Sequence, residues 1–469
     1  MTIRMTVGGS RVDTAGRLPV ENPATGTVFA EAPDCTAAQL DEAVAAATAA
    51  QPGWAALTED ERRSHLRECG KLLASVADET ARLLSAEQGK PLSAALAEVE
   101  LAAGWFGHTA ELSLPVEQLV RDASCDITLT REPYGVVAAI APSNFPIILA
   151  MCKVAPALLA GNTVVLKPSP QTPLSTLRIG EVLQDCLPPG VLNVVSGADA
   201  LGESLTTHPG VRLVSFTGSV ETGRTIARHA AGRFTPVVLE LGGNDPAIVL
   251  PGADVDAIAP ALFGAALANS GQFCAAVKRV YAPKELAGRL AERLADLAGR
   301  AVVGDGSDPA TEYGPLISGA QRDRVAALVA AAVEAGARVL TGGSVPEGPG
   351  HFYPPTVVTD LPPGTALETE EQFGPVIPII GYDDVDEAVA RANATEFGLG
   401  ASLWGDERRG RELAGRLDCG TVWINTHGDL RHNVPFGGAK SSGVGVEYGY
   451  LGLLAYTRPK VLNVSGPQG

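Results

Sequence analysis

Apolar positions in the first hundred-odd residues recur at helical spacing. Thr36 is placed to cap a helix through AAQLDEAVAAATAAQ, and Glu59 to Gln88 forms one helical stretch stopped near Gly89 and Pro91. A third helix is expected from Leu92 to Glu111. Polar and apolar residues alternate over Asp126–Thr130, as in an exposed strand. Then the texture changes. Short apolar runs at Val136–Ala141, Thr163–Leu166, Val191–Val195, Arg212–Phe216 and Pro236–Leu241 predict strands. The helices between them are Ile147–Leu159, Leu174–Cys186, Ala200–Thr207 and Val220–Ala231. Strands joined by single helices imply βαβ units and a parallel sheet. From Asn244 a second alternating region runs to about Phe436, with strands near Ala247–Leu250, Arg279–Tyr281, Ile377–Ile380 and Val422–Asn425. The tail, Tyr456 to Val464, reads as another exposed strand, and two such strands outside the main sheets suggest a subunit-pairing element. Alanine-rich Ala45–Ala50 and Ala326–Ala337 read as helix.

Composition narrows the function. The 469 residues are 45% hydrophobic with mean hydropathy +0.13, enough apolar material for two or three packed domains. A net charge of -17 and a pI near 4.9 argue against nucleic acid and an anionic membrane surface as partners. Between Tyr134 and Leu166 the only charge is Lys153, yet prolines, glycine and asparagines break the run too often for a membrane span. The seven cysteines form no CxxC pair, and the histidines show no ligand spacing, so neither a disulfide scaffold nor a metal site is expected. The N-terminus has no signal-like apolar core; the expected location is cytoplasmic.

Four segments could carry chemistry. Phe216-Thr217-Gly218-Ser219 ends a strand where a helix begins, a place for a phosphate, although an ordinary tight turn reads the same. Glu240 closes an apolar strand before Gly242-Gly243, where desolvation would raise its pKa as a general base requires; a strand-end acid in solvent is the plainer alternative. Cys274 follows a helix-stopping Ser270-Gly271, and a loop near a helix terminus would lower its pKa, whereas a buried inert thiol is the alternative. Asn144, in Pro142-Ser143-Asn144-Phe145-Pro146, could donate to an oxyanion or belong to a simple proline turn.

Together Asn144, Glu240 and Cys274 resemble the catalytic trio of the aldehyde dehydrogenase superfamily, with the carboxylate and thiol at that family's typical separation. Asn22-Pro23-Ala24-Thr25-Gly26 is similar to its NPxTG opening, Lys167-Pro168-Ser169 to its KPS strand and Phe216–Ser219 to its FTGS turn. Glu371-Gln372-Phe373-Gly374-Pro375 is similar to its ExFGP motif, and Pro435 to Gly443 to its PFGGxKxSG stretch. The resemblance implies a hydrolytic, NAD- or NADP-dependent enzyme, a homodimer or homotetramer acting on a small aldehyde. Its fold would be α/β: a Rossmann-like parallel-sheet cofactor domain (1–117 and 136–241), an α/β catalytic domain (242–436) and a small β oligomerisation or bridging element (118–135 and 437–469).

The resemblance also implies roles. Cys274 would be the nucleophile, Asn144 the oxyanion donor, Glu240 the base and Lys153 a pyrophosphate-side or proton-relay residue. The cofactor would meet Lys167, Ser169, Pro170, Gly218, Ser219, Gly223, Leu241, Glu371 and Phe373. Substrate would meet Phe145, Phe273, Leu430, Arg431 and Phe436; Cys152 and Ala268 stand where aromatic-tunnel members carry large rings. Pro170 replaces the glutamate with which many NAD-using members grip a ribose, so both cofactors stay open. Arg431, in a polar loop, could grip the distal carboxylate of a semialdehyde, or be a solvated surface charge. A CoA-acylating relative would not need Glu240, and a non-catalytic structural member would not need the trio.

Overall fold

The computed structural model describes residues 3–466. Its first sheet runs in the order Ser10–Val12, Met5–Val7, Leu192–Val194, Thr163–Lys167, Val136–Ile140, Val211–Thr217, Val237–Glu240, Gly443–Val444. The five strands from Leu192–Val194 to Val237–Glu240 are parallel, as the βαβ pattern predicted. Most are wholly buried, because helices cover both faces. The chain steps outward from Val136–Ile140 in one direction, then returns to its other side with Val211–Thr217. That reversal leaves a crevice beyond the carboxyl ends of Ile140 and Thr217, where open α/β sheets bind ligands.

The second sheet, Arg338–Thr341, Thr356–Thr359, Val376–Tyr382, Val277–Pro283, Asp245–Val249, Gly400–Trp404, Thr421–Ile424, has its own apolar layers on either face. Outside both, Thr457–Ser465 pairs antiparallel with Cys125–Pro133 over the whole of its length, and Glu117–Arg121 completes a three-stranded sheet.

Three expectations need correction. The chain does not begin with helices: Met5–Val7 and Ser10–Val12 form a hairpin, and Arg17–Asn22 and Thr27–Pro33 another. Gly8 and Gly9, both at positive φ (59° and 81°), make the first turn, a signal outweighed by the long helical pattern that follows. The stretch from Glu59 to Gln88 is two helices, Glu59–Ser75 and Ala77–Gln88. Ser75 donates its hydroxyl back to the Leu72 carbonyl, and β-branched Val76 leaves helical geometry at φ -113°, ψ 16°. The helix expected to reach Cys186 stops at Leu183, which leaves Cys186 in a turn.

Candidate active site

A cleft of about 1180 Å³, open to solvent, lies in the crevice of the first sheet. Asn144, Lys167, Ser169, Pro170, Gly218, Ser219, Leu241, Cys274, Glu371 and Phe373 all line it. Gly223 does not. It lies one turn into the helix Val220–Ala231, where a Cβ would stand 2.5 Å from the Leu241 side chain, so its smallness lets helix and strand close. Ser219 caps that helix by accepting from Thr222 N–H at 3.2 Å. Lys167 is buried, its ammonium donates to the Pro168 carbonyl at 3.3 Å, and desolvation pulls its pKa down to about 8. A buried ammonium with no ion pair among the described residues, lining the same cleft as a helix N-terminus, fits a ligand bearing hydroxyls and phosphates. Asp199 lines the same wall.

The loop that leads to Cys274 is strained. Asn269, Ser270 and Gly271 have φ of 51°, 57° and 74° in succession. A Cβ on Gly271 would fall 2.1 Å from the Gly374 carbonyl oxygen, so glycine alone fits. Strain of this kind persists only where surrounding contacts over-determine it. Here Ser270 donates to the Gly314 carbonyl at 2.8 Å, Gln272 accepts from Ile317 N–H at 2.8 Å, and buried Lys278 donates to the Gly271 carbonyl. The loop delivers Cys274, part exposed, to the cleft floor.

No helix begins at Cys274. It precedes the strand Val277–Pro283, and burial, followed by the charges of Glu371, Glu240 and Asp245, pushes its thiol well up. The expected helix-terminus activation is therefore corrected: at rest the thiol is held protonated.

Asn144 is buried, with its Oδ1 accepting from Phe145 N–H at 2.9 Å and its Nδ2 donating to the Gln272 carbonyl at 3.0 Å. An amide nitrogen has two hydrogens, so one remains for an oxyanion. The turn is fixed from beneath. Lys90 donates to the Asn144 carbonyl at 2.8 Å and to Glu98, whose carboxylate accepts from Ile147 N–H at the start of the next helix.

Glu240 is 5% exposed, and neither of its oxygens has a hydrogen-bond partner among the described residues. Burial raises its pKa well above the ordinary carboxyl range; the charge of Glu447 raises it further, while Lys153 lowers it. Lys153 is wholly buried, donates to Thr217 Oγ1 at 2.7 Å and pairs with Glu447. Glu371 accepts from Gly243 N–H at 3.2 Å and is raised to about 7, chiefly by desolvation.

Aromatic rings stand near the trio. Phe145 and Phe273 meet edge to face at 5.5 Å, Phe436 stacks on Tyr448 at 6.0 Å, and Tyr448 meets Trp105 at 4.8 Å. Leu430 packs against this core beside them. Arg431 is exposed, and its Nε and Nη2 both donate to Asp429 Oδ2, at 3.0 and 2.8 Å. Its fork is thus already occupied.

Glu447, Lys278, Tyr448 and Trp105 also pack around these groups, and none of them was expected there from the sequence. Lys278 had a signal, standing with Arg279 as a pair of charges between apolar Ala275-Ala276-Val277 and Val280-Tyr281. Glu447 lies in an exposed-looking glycine-rich stretch and meets Lys153 only after the chain returns to the first sheet. Tyr448 carries φ 65° and ψ 157°, a strained backbone that no residue pattern discloses.

Comparison with known proteins agrees with this geometry. Residues 11–462 match the model of the aldehyde dehydrogenase family. Betaine aldehyde dehydrogenase 1 of Rhizobium meliloti is 38% identical over 98% of this chain and 97% of its own length. The NADP-dependent succinate-semialdehyde dehydrogenase of Escherichia coli is 38% identical over 95% of this chain and 94% of its own. An NAD-dependent aldehyde dehydrogenase from Sinorhizobium meliloti superposes with a TM-score of 0.96 at 35% identity, covering 100% of this chain and 96% of that one. Among the described residues no helix is long and apolar enough to cross a membrane. The chain belongs to the aldehyde dehydrogenase family, oxidoreductases that take an aldehyde to its carboxylic acid with NAD or NADP as acceptor.

Proposed function

We propose that Cys274 attacks the carbonyl carbon of a small aldehyde and that Glu240 hydrolyses the resulting thioester. The observation that carries this reading is Glu240 itself, a buried carboxyl with both oxygens unpartnered, close enough for its charge to act on Cys274. A purely structural carboxyl so buried would be hydrogen-bonded. The free hydrogen of Asn144 Nδ2 and the backbone N–H of Cys274 meet the thiohemiacetal oxygen. The nicotinamide cofactor, when bound, supplies the hydride acceptor. Lys167 and Glu371 hold its ribose hydroxyls, Ser169, Pro170, Gly218 and Leu241 line its bed, Ser219 meets its pyrophosphate, and Phe373 packs beside its reactive ring. Loss of hydride leaves a thioester on Cys274; Glu240 takes a proton from the attacking water, and the acid departs. Lys153 and Glu447 set the charge around that base.

The substrate side is apolar, formed by Phe145, Phe273, Leu430 and Phe436, which suits an uncharged aldehyde. The split into 1–117 with 136–241, 242–436, and 118–135 with 437–469 is the domain scheme we adopt, in a cytoplasmic enzyme. The nine-residue strand Thr457–Ser465 is a free edge showing Val461, Leu462 and Val464 at 57%, 57% and 51% exposure. An apolar open edge of that length invites a second copy, so we take the assembly to be a homodimer or homotetramer. NAD(P)H absorbance with an aldehyde panel, with and without CoA, tests the hydrolytic reading. Turnover independent of CoA is expected; an absolute requirement for CoA would replace it with an acylating enzyme.

A further inference from the structure

Away from the cleft, two thiols lie against one another. Cys69, on the helix Glu59–Ser75, and Cys186, in the turn after the helix Leu174–Leu183, have Sγ atoms 3.2 Å apart, although 117 positions separate them in the chain. Among the described residues no other two cysteines approach in this way. The Cys186 S–H is directed to the Leu183 carbonyl at 3.3 Å, which makes Cys69 the donor in the sulfur–sulfur contact. That bond and burial hold the Cys69 thiol protonated. Cys69 is buried, whereas Cys186 keeps part of its surface in solvent.

The approach does not depend on the sulfurs. His65, one turn before Cys69, bonds through Nδ1 to the Cys186 carbonyl at 2.6 Å, and its ring packs on Trp54 at 5.3 Å between centroids. The turn that bears Cys186 is thereby pinned to the helix that bears Cys69. A disulfide needs about 2.04 Å between sulfurs, so closing the contact takes roughly 1.2 Å of movement, within reach of side-chain rotation.

We propose that Cys69 and Cys186 form a reversible thiol–disulfide pair that responds to peroxide. The exposed sulfur reacts first. The Cys186 thiolate attacks one peroxide oxygen, the O–O bond breaks, and hydroxide leaves behind a sulfenic acid. The Cys69 thiol then displaces that hydroxyl as water, forming the S–S bond. Two thiols are oxidised, one peroxide is reduced to two waters, and a dithiol reductant reverses the step by exchange. The bridge closes a loop long enough to restrict the unfolded chain substantially. It lies at the far end of the ten-residue helix from Pro170 and Gln171, about 15 Å along its axis, so catalysis is not its target.

The test is a hydrogen peroxide titration of the intact enzyme, followed by alkylation of free thiols and non-reducing peptide mapping. Oxidation of Cys274, read as loss of activity, marks the upper end of the titration. The expected result is a Cys69–Cys186 cross-linked peptide two hydrogens lighter than its parts, a melting temperature raised by several degrees, and reversal of both by dithiothreitol. Cys186→Ser should retain basal turnover and lose both the peptide and the shift. Cys69→Ala provides a second variant should the first fold poorly. The proposal is overturned if both cysteines remain alkylatable once Cys274 is fully oxidised, if Cys186 accumulates as sulfinic acid, or if either bridges to another cysteine.

Discussion

Lys153 and Glu447 form an ion pair whose side chains are 0% and 2% exposed, and the two charges pull the Glu240 pKa in opposite directions. A carboxyl acts as a base only when ionised, so in the role proposed for Glu240 deacylation should rise with pH through its pKa. Lys153→Met removes the charge that lowers that pKa, and the acid limb of the pH–rate profile should move to higher pH. Glu447→Gln removes a charge that raises it, and the limb should move to lower pH. Each variant breaks a buried pair, at about 3–5 kcal/mol of stability, so circular dichroism must confirm the fold first. Shifts in the same direction would remove the pair from the environment of the base.

The unpartnered carboxyl should also cost stability. The folded-state pKa of Glu240 lies above the ordinary 4.5, so the penalty is absent below that value and grows as pH rises toward the folded pKa. Glu240→Gln should therefore melt higher than the parent at neutral pH and equally at pH 4. The gain is about 1.4 kcal/mol per unit of upward shift. Melting curves at the two pH values check the sign.

Much of this architecture was legible in the chain. The buried strands from Val136 to Glu240 had short, mostly apolar runs, and the turn residues between them fixed where the cleft opens. Asn144 and Glu240 stood out as polar groups beside the ends of such runs, Cys274 as a thiol after a helix-stopping Ser270-Gly271, and Lys167 through the KPS resemblance. What escaped was set by tertiary contact: the edge hairpin Met5–Val12 is held by the strand Leu192–Val194, and Glu447 becomes a site residue only through Lys153. The thiol's raised pKa escaped for the same reason, because burial and, after it, the charges of three carboxylates act on Cys274 only once the chain is folded.

Cofactor choice should follow charge at the ribose end of the cleft. Pro170 carries none, and the exposed carboxylate of Asp199 lines the same wall. Pro170→Glu should lower kcat/KM for NADP more than for NAD, and Asp199→Asn should raise it for NADP more than for NAD. Both follow from repulsion of a 2′-phosphate, and steady-state kinetics with the two cofactors measures them.

The pairing of Arg431 with Asp429 masks a cation at the protein surface. Arg431→Ala should change KM by similar small factors for a semialdehyde and for the matched neutral aldehyde. Asp429→Asn, which frees the guanidinium, should lower KM for the semialdehyde alone. A strong, selective loss of semialdehyde affinity in Arg431→Ala would instead show that the arginine leaves Asp429 to grip the substrate.

The central claim is a thioester on Cys274 that Glu240 hydrolyses, and rapid mixing of Glu240→Gln with aldehyde and cofactor tests it most directly, followed by intact-mass measurement. The account predicts a burst of one NAD(P)H per active site, a slow steady state, and an acyl adduct that maps to Cys274; Cys274→Ala should bind cofactor but show neither burst nor adduct. Steady-state turnover equal to the parent's in Glu240→Gln, with no acyl adduct on the chain, would contradict it.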